Sequence, residues 1–303
     1  MKFRTNNYKL ENPKIIEPAT IVAISDIHGN LKVLKKLLEL VEIIKPNYIC
    51  IPGDTLDMTN CDISNIIEWF TNISSIAKTV ISLGNHDLLE YNHNNKKERW
   101  SCSENIHFYE NIDKISNCIL LNDSFSTYSG NEFLSFSGLN MPASWYEHHH
   151  EDKAIFETFI KSVDENKLDI EKFNILLSHS PNRWLINNRL ISSEEFKILN
   201  KISLILSGHN HGGLVPIFLQ PIFKNNHGFV GPGSKINQEN AFGTWSNENT
   251  SLILSNGVTK IANSSELSFI SDFLNSFYIP DIESISLVPG KQHKLTKYEN
   301  KIY

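Results

Sequence analysis

Five short apolar runs each end in side chains able to hold a metal ion, and this recurrence constrains the fold more than any other feature. Thr20-Ile21-Val22-Ala23-Ile24-Ser25 leads into Asp26-Ile27-His28, and Tyr48-Ile49-Cys50-Ile51 leads into Gly53-Asp54-Thr55-Leu56-Asp57. Thr79-Val80-Ile81-Ser82-Leu83 precedes Gly84-Asn85-His86-Asp87, and Asn174-Ile175-Leu176-Leu177 precedes Ser178-His179-Ser180-Pro181. Ser203-Leu204-Ile205-Leu206-Ser207 precedes Gly208-His209-Asn210-His211-Gly212-Gly213. Such β-branched, apolar runs bounded by turn residues predict buried strands. One Asn-His-Asp turn alone reads as a loop whose polar side chains bond the backbone. Five in succession predict a common site, because ligands of open α/β sheets bind where the strands' carboxyl ends emerge. That site would gather Asp26, His28, Asp54, Asn85, His179, His209 and His211. Imidazoles and carboxylates suit divalent transition ions. A tetrahedral ion takes about four ligands, so seven suit two ions with one carboxylate shared.

The blocks D-x-H, G-D-x-x-D, G-N-H-[DE], a later lone His and G-H-x-H stand in order across residues 26–211. In this the chain resembles the calcineurin-like metallophosphoesterases. The G-D-x-x-D spacing, Gly212-Gly213 and the compact size most resemble the bacterial single-domain phosphodiesterase-like branch. The resemblance implies an α/β fold, a four-layer α/β/β/α sandwich of two mixed sheets flanked by helices. It also implies two divalent ions, such as Mn, Fe or Zn. Asp26, His28 and His211 would hold the first ion, and Asn85, His179 and His209 the second. Asp54 would bridge them, since a carboxylate has two oxygens and four lone-pair sites. His86 is the implied general acid or charge stabiliser, with Asp87 orienting it as carboxylates commonly orient histidines. Asp57 reads as a structural hydrogen-bond acceptor rather than a ligand.

The implied reaction is hydrolysis of a phosphate ester, a phosphodiester or diphosphate foremost, by hydroxide generated between the two ions. A phosphomonoesterase or protein phosphatase of the same fold is the alternative. So is a non-catalytic metal-binding scaffold, but scaffold relatives usually lose a ligand or the catalytic histidine, and here all are present. Pattern reading identifies no substrate-binding residue; specificity would lie in loops 88–105, 140–152 and 214–245.

The 303 residues, 40% of them hydrophobic, suffice for one sizeable core. A single domain over 1–303 is expected, its motif-bearing core at about 19–256 and edge elements at 257–303. The net charge of −6 gives no basic footprint for general nucleic-acid binding. The polar stretch from Met1 to Pro18 lacks the apolar core of a secretory signal, and no run reaches the ~18 apolar residues that span a bilayer. The expected location is cytoplasmic, with peripheral membrane association left open. Cys50, Cys61, Cys102 and Cys118 include no C-x-x-C and read as reduced, structural thiols.

In chain order, residues 1–18 predict an irregular lead-in or an edge strand. Leucines 31, 34, 37 and 38 with Val41 predict a helix capped by Asn30 and stopped by Pro46. A second helix is predicted from Asp62 to Ala77, with Trp69 and Phe70 in the core. Cys118–Leu121, Phe125–Tyr128 and Glu132–Ser137 predict short strands of the family's second sheet, and Lys153–Val163 a helix with Ile155, Phe156, Phe159 and Ile160 inward. Glu194 and Glu195 would begin a helix. His148, His149 and His150 read as solvent-exposed, since consecutive residues point different ways and cannot all hold one ion. The Lys- and Asn-rich end from Lys291 is expected to fray.

Overall fold

The structure, a computed structural model, describes residues 2–57, 61–87, 90–92, 97–99, 103–141, 143–146, 153–163, 167–186, 189–192, 196–216, 218–223, 226–231, 238–259, 278–298 and 300–303. Its elements begin with β1 (Arg4–Asn12), β2 (Ala19–Ala23), α1 (Leu31–Ile44), β3 (Tyr48–Pro52), α2 (Ile63–Ile76) and β4 (Lys78–Ser82). A hairpin of β5 (Glu90–Asn92) and β6 (Lys97–Arg99) precedes α3 (Ser103–Ile112) and β7 (Cys118–Leu120). Then come β8 (Phe125–Ser129), β9 (Leu134–Leu139), α4 (Ala143–Tyr146), α5 (Lys153–Ser162) and β10 (Phe173–Ser178). The hairpin β11 (Leu185–Ile186) and β12 (Arg189–Leu190) leads to β13 (Leu204–Ser207), β14 (Gly243–Ser246) and β15 (Ser251–Leu254). The chain closes with β16 (Asp281–Pro289), β17 (Lys294–Lys297) and β18 (Lys301–Ile302).

Local chemistry sets the helix ends. Asn30 Oδ1 accepts from Lys32 N at the start of α1, and Lys45 leaves the helix in the left-handed region just before Pro46. Asp62 Oδ1 caps α2 through Asn65 N. In β3, Tyr48 and Cys50 face one core while Ile49 and Ile51 face another, the two-residue period of a strand buried on both sides.

Two mixed sheets form the middle layers. The first runs β17-β1-β16-β2-β3-β4-β7, with β18 also pairing β1. Its β2, β3, β4 and β7 are parallel, in register Val22↔Ile49, Cys50↔Val80 and Val80↔Ile119. The second runs β14-β15-β13-β10-β9-β8, with β15, β13, β10 and β9 parallel. Ile21, Cys50, Val80, Phe136, Ile175 and Leu206 pack between the sheets. α1, α2 and α3 cover the outer face of the first sheet through Leu37, Phe70 and Phe108. Phe156 and Ile160 of α5 cover the second, against Leu176 and Ile205. This is the expected four-layer sandwich, and it aims the ends of β2, β3, β4, β10 and β13 toward one region.

Four expectations need correction. The lead-in is β1, an inner strand that pairs β16 on one side and β17 and β18 on the other. Residues 257–303 are not all edge elements, because β16 sits between β1 and β2. The end from Lys291 does not fray, since Leu10 pairs Leu295 and Thr5 pairs Lys301. β7 joins the first sheet beside β4, not the second, because α3 carries the chain back over the first sheet. Trp69 and Phe70 are buried core residues, as expected, and so is Phe156. His148–His150 and Glu194–Glu195 lie outside the described residues. Cys50, Cys61 and Cys118 are free thiols, and burial pushes the Cys118 thiol up to about 12. Among the described residues, no helix is long and apolar enough to cross a membrane.

Candidate metal centre

Three overlapping groups of side chains converge at the strand ends: Asp26, His28 and His211; His28, Asp54 and His86; and Asp54, His179 and His209. Within each group the candidate ligand atoms lie within 4.8 Å of one another. Asp26 and His28 follow β2, Asp54 follows β3, His86 follows β4, His179 follows β10, and His209 and His211 follow β13. Asp54 Oδ2 is central, 3.6 Å from His28 Nε2 and 3.1 Å from His179 Nε2. His211 Nε2 lies 3.4 Å from Asp26 Oδ1, and His28 Nε2 lies 4.0 Å from the same oxygen. The rings of His28 and His211 stack at 5.3 Å, and His179 meets His209 edge-on at 4.9 Å.

The backbone is bent to make this gathering possible. Asp26, His28, Asp54, His209 and His211 all have positive φ, between 45° and 75°. Asp and His tolerate this region better than most residues, yet it costs of the order of 1 kcal/mol each. Such strain at five candidate ligands marks a site where placement outweighs local stability. Gly84 is needed for a different reason. A Cβ there would collide with the Asp54 carboxylate, whose Oδ1 accepts from His86 N at 2.9 Å. The turn after β4 thus wraps Asp54 with its own backbone.

Two observations test whether these residues suit metal ions. First, His28 Nε2 and Asn85 Oδ1 are buried without a hydrogen bond among the described residues. A buried orphan of this kind costs about 1–3 kcal/mol unless a partner such as a cation takes it up. Second, His179 Nδ1 faces Pro52 O and His211 Nδ1 faces Thr259 O, each at 2.9 Å. A carbonyl only accepts, so Nδ1 carries a hydrogen and Nε2 is left as the nitrogen that could offer a lone pair to an ion. The donor set fits divalent transition ions.

The electrostatics are those of a site built around cations. Burial alone would lower His179, but the Asp54 carboxylate outweighs it and pushes the imidazole up to about 9. Burial and the neighbouring His86 push His28 down to about 4, because the carboxylates lie farther from its ring. Burial opposes charge on Asp54 too, yet the surrounding histidines hold it well below the usual carboxylate range.

His86 sits beside the cluster, its ring 4.6 Å from that of His28. Its Nδ1 lies 3.1 Å from Asp57 Oδ1. Asp87 does not orient it. Asp87 is buried, with Oδ1 accepting from Leu56 N at 2.9 Å and Oδ2 from Gly84 N at 2.8 Å. It staples the loops after β3 and β4 together, while Asp57 is the acceptor that faces His86. The G-D-x-x-D spacing carried that signal, because it returns a second carboxylate to the loop that presents Asp54. Sequence reading also left Tyr146 unassigned; its ring lies 5.6 Å from that of His209.

Residues 19–213 match the sequence model of the family described as calcineurin-like phosphoesterase. The chain is 28% identical over 215 residues to metallophosphoesterase F40B5.2 of Caenorhabditis elegans, covering 70% of this chain and 40% of that protein. It is 27% identical over 226 residues to metallophosphoesterase Cj0846 of Campylobacter jejuni, covering 73% of this chain and 51% of that protein. The chain therefore spans about half the length, or less, of these relatives. Among solved structures, TT1561 of Thermus thermophilus is 15% identical with a TM-score of 0.43, covering 63% of this chain and 82% of that one. The family match takes in well over half of the chain, and all seven candidate ligands fall inside it: the chain belongs to the calcineurin-like phosphoesterase family.

Proposed function

We propose that this chain is a dinuclear metal-dependent phosphohydrolase that cleaves a phosphodiester or diphosphate. The observation that carries this reading is the position of one buried carboxylate, Asp54, between His28 at 3.6 Å and His179 at 3.1 Å. Asp26, His28 and His211 would hold one ion, Asn85, His179 and His209 would hold the other, and Asp54 would be shared between them. When bound, such a pair lowers the pKa of a water and neutralises charge on the phosphoryl group.

The chain's own residues do the rest. Asn85 contributes a neutral oxygen, so the site keeps the positive balance that a phosphate needs. His86 is lowered by burial, but Asp54 and Asp57 outweigh this and raise it above its ordinary value. This favours its protonated form, which suits the ring to supply a proton to the oxygen of the leaving group. Asp57 fixes the ring that delivers that proton. The preference for a diester or diphosphate rests on the motif spacing shared with the phosphodiesterase-like branch.

The test is turnover of bis-p-nitrophenyl phosphate and of p-nitrophenyl phosphate by metal-stripped protein reloaded with Mn(II). Mn-dependent hydrolysis is expected, faster for the diester. Protein that takes up two ions and hydrolyses neither ester, nor any member of a wider phosphoester screen, would be a scaffold. Faster cleavage of the monoester would make it a phosphomonoesterase.

A further inference from the structure

The family match ends at residue 213, yet one side of the metal centre is held by residues beyond it. The segment 255–259, just after β15, touches the neighbourhood of all three members of the first ligand group. Gly257 packs against Asp26 so closely that a Cβ there would lie 2.8 Å from the Asp26 Cβ. Val258 N donates to Ser25 O at 3.1 Å. Thr259 Oγ1 donates to Ile27 O, between Asp26 and His28, at 2.8 Å. The Thr259 carbonyl accepts from His211 Nδ1 at 2.9 Å. Asn256 fills the space under Gly212, where a Cβ would lie 2.7 Å from Asn256 Oδ1.

This segment is in turn clamped from the first sheet. Asp281, at the start of β16, accepts from Asn256 N at 3.2 Å and from Asn256 Nδ2 at 2.7 Å. Asp281 N donates to Gly257 O at 3.2 Å. The Tyr278 hydroxyl shares its one hydrogen between Asn256 O at 2.8 Å and Gly257 O at 2.6 Å. Arg4 of β1 pairs with the same Asp281 oxygen that receives Asn256 Nδ2, and Asn6 Nδ2 donates to it at 3.1 Å. Arg4, Asn256 and Asp281 are all buried. In the other half of the centre, His179 is supported by Pro52 O and Asp54 by the backbone of His86, while His209 N donates to Asp26 Oδ1 at 3.0 Å.

We infer that Asp281, charge-balanced by Arg4 and acting through Asn256 and Gly257, is a positioning residue for the Asp26–His28–His211 half of the metal centre. The inference rests on the dinuclear reading. A buried charge pair is weak evidence for stability, because desolvation offsets the attraction. A role in placing ligands is a separate use of the same pair. Partners behind a ligand commonly change metal affinity about 10–100-fold when removed.

The experiment compares metal-stripped wild type, Asp281→Asn and Asn256→Ala. Asp281→Asn keeps the shape but turns an amide toward donors of Arg4 and Asn256. Asn256→Ala removes the side-chain link and leaves the Arg4–Asp281 pair in place. Mn(II) binding is followed by calorimetry and electron paramagnetic resonance, with circular dichroism and melting as the record of folding. Wild type that fails to bind two ions would end the dinuclear reading itself. Given two ions in wild type, each variant should weaken one of them about 10–100-fold and leave the other unchanged. Two ions bound as in wild type, or both weakened equally, would overturn the inference. So would failure of both variants to fold, since the network would then hold the sheets and not the site.

Discussion

His86 Nδ1 lies 3.1 Å from Asp57 Oδ1, while Asp87, its neighbour in the chain, spends both carboxylate oxygens on the backbone N–H groups of Leu56 and Gly84. The two carboxylates therefore have separable roles. Asp57→Asn should fold, retain both ions and lower turnover about 10–100-fold. It should also move the pH profile. Asp57 helps raise His86, so its loss lowers the pKa of the proton donor, and the alkaline limb shifts to lower pH. Asp87→Ala should instead orphan two buried donors, at about 1–3 kcal/mol each, and show as a lower melting temperature. Asp57→Asn with an unmoved profile would remove it from the proton-holding pair.

The leaving group decides whether His86 donates a proton. His86→Ala should keep both ions and lose about 10²–10⁴-fold in rate for alkyl or ribose leaving groups. The loss should shrink for p-nitrophenolate, which departs with little protonation. An equal loss across leaving groups argues for charge stabilisation alone. Loss of an ion would make His86, which stands within the group of His28 and Asp54, part of the metal site.

Asp54 belongs to two of the three ligand groups, and Asp26 to one. Asp54→Asn should therefore depress binding of both ions, whereas Asp26→Asn should depress one. Elemental analysis and Mn(II) titration separate these outcomes. Equal loss in the two variants would remove Asp54 from its bridging place.

The convergence of Asp26, His28, Asp54, His179, His209 and His211 was legible because these residues follow the ends of four strands, β2, β3, β10 and β13, within a few residues of sequence. The left-handed turns at Asp26, Asp54 and His209 were not legible, nor was which carboxylate meets which partner across the loops after β3 and β4: Asp57 faces His86, and Asp87 takes the N–H groups of Leu56 and Gly84. The first and last strands were misjudged for another reason. Period-two reasoning sends polar residues outward, but β1 and β16 turn Arg4, Asn6, Asp281 and Glu283 into the space between the sheets. Arg4 and Asn6 find their buried carboxylate partners some 277 positions away. A polar segment at either terminus looks like a lead-in or a fraying end until that pairing is known.

At the opposite end of β15 from the metal centre, His293 ties the turn before β17 to the second sheet. Its Nε2 lies 2.8 Å from Ser251 Oγ, and its Nδ1 lies 3.0 Å from Asn12 Nδ2. The Asn12 amide is fixed, because its Oδ1 accepts from Lys14 N at 2.9 Å. Asn12 therefore donates to Nδ1, and Nε2–H donates to the serine. That arrangement needs a neutral ring; a second proton on Nδ1 would face an N–H donor. Burial and then the Lys14 charge push His293 down to about 4, against about 6.5 in an unfolded chain. Between those values the unfolded chain binds the extra proton, so stability must fall as pH drops from about 6.5 toward 4, with no contribution above that window. His293→Gln keeps a side-chain donor and acceptor but does not titrate. Its melting temperature should therefore fall less than wild type's between pH 7.5 and pH 5. Titration of the metal ligands is common to both proteins and cancels in the double difference. Melting temperatures that fall in parallel would show that His293 does not carry an acid-sensitive tie between the sheets.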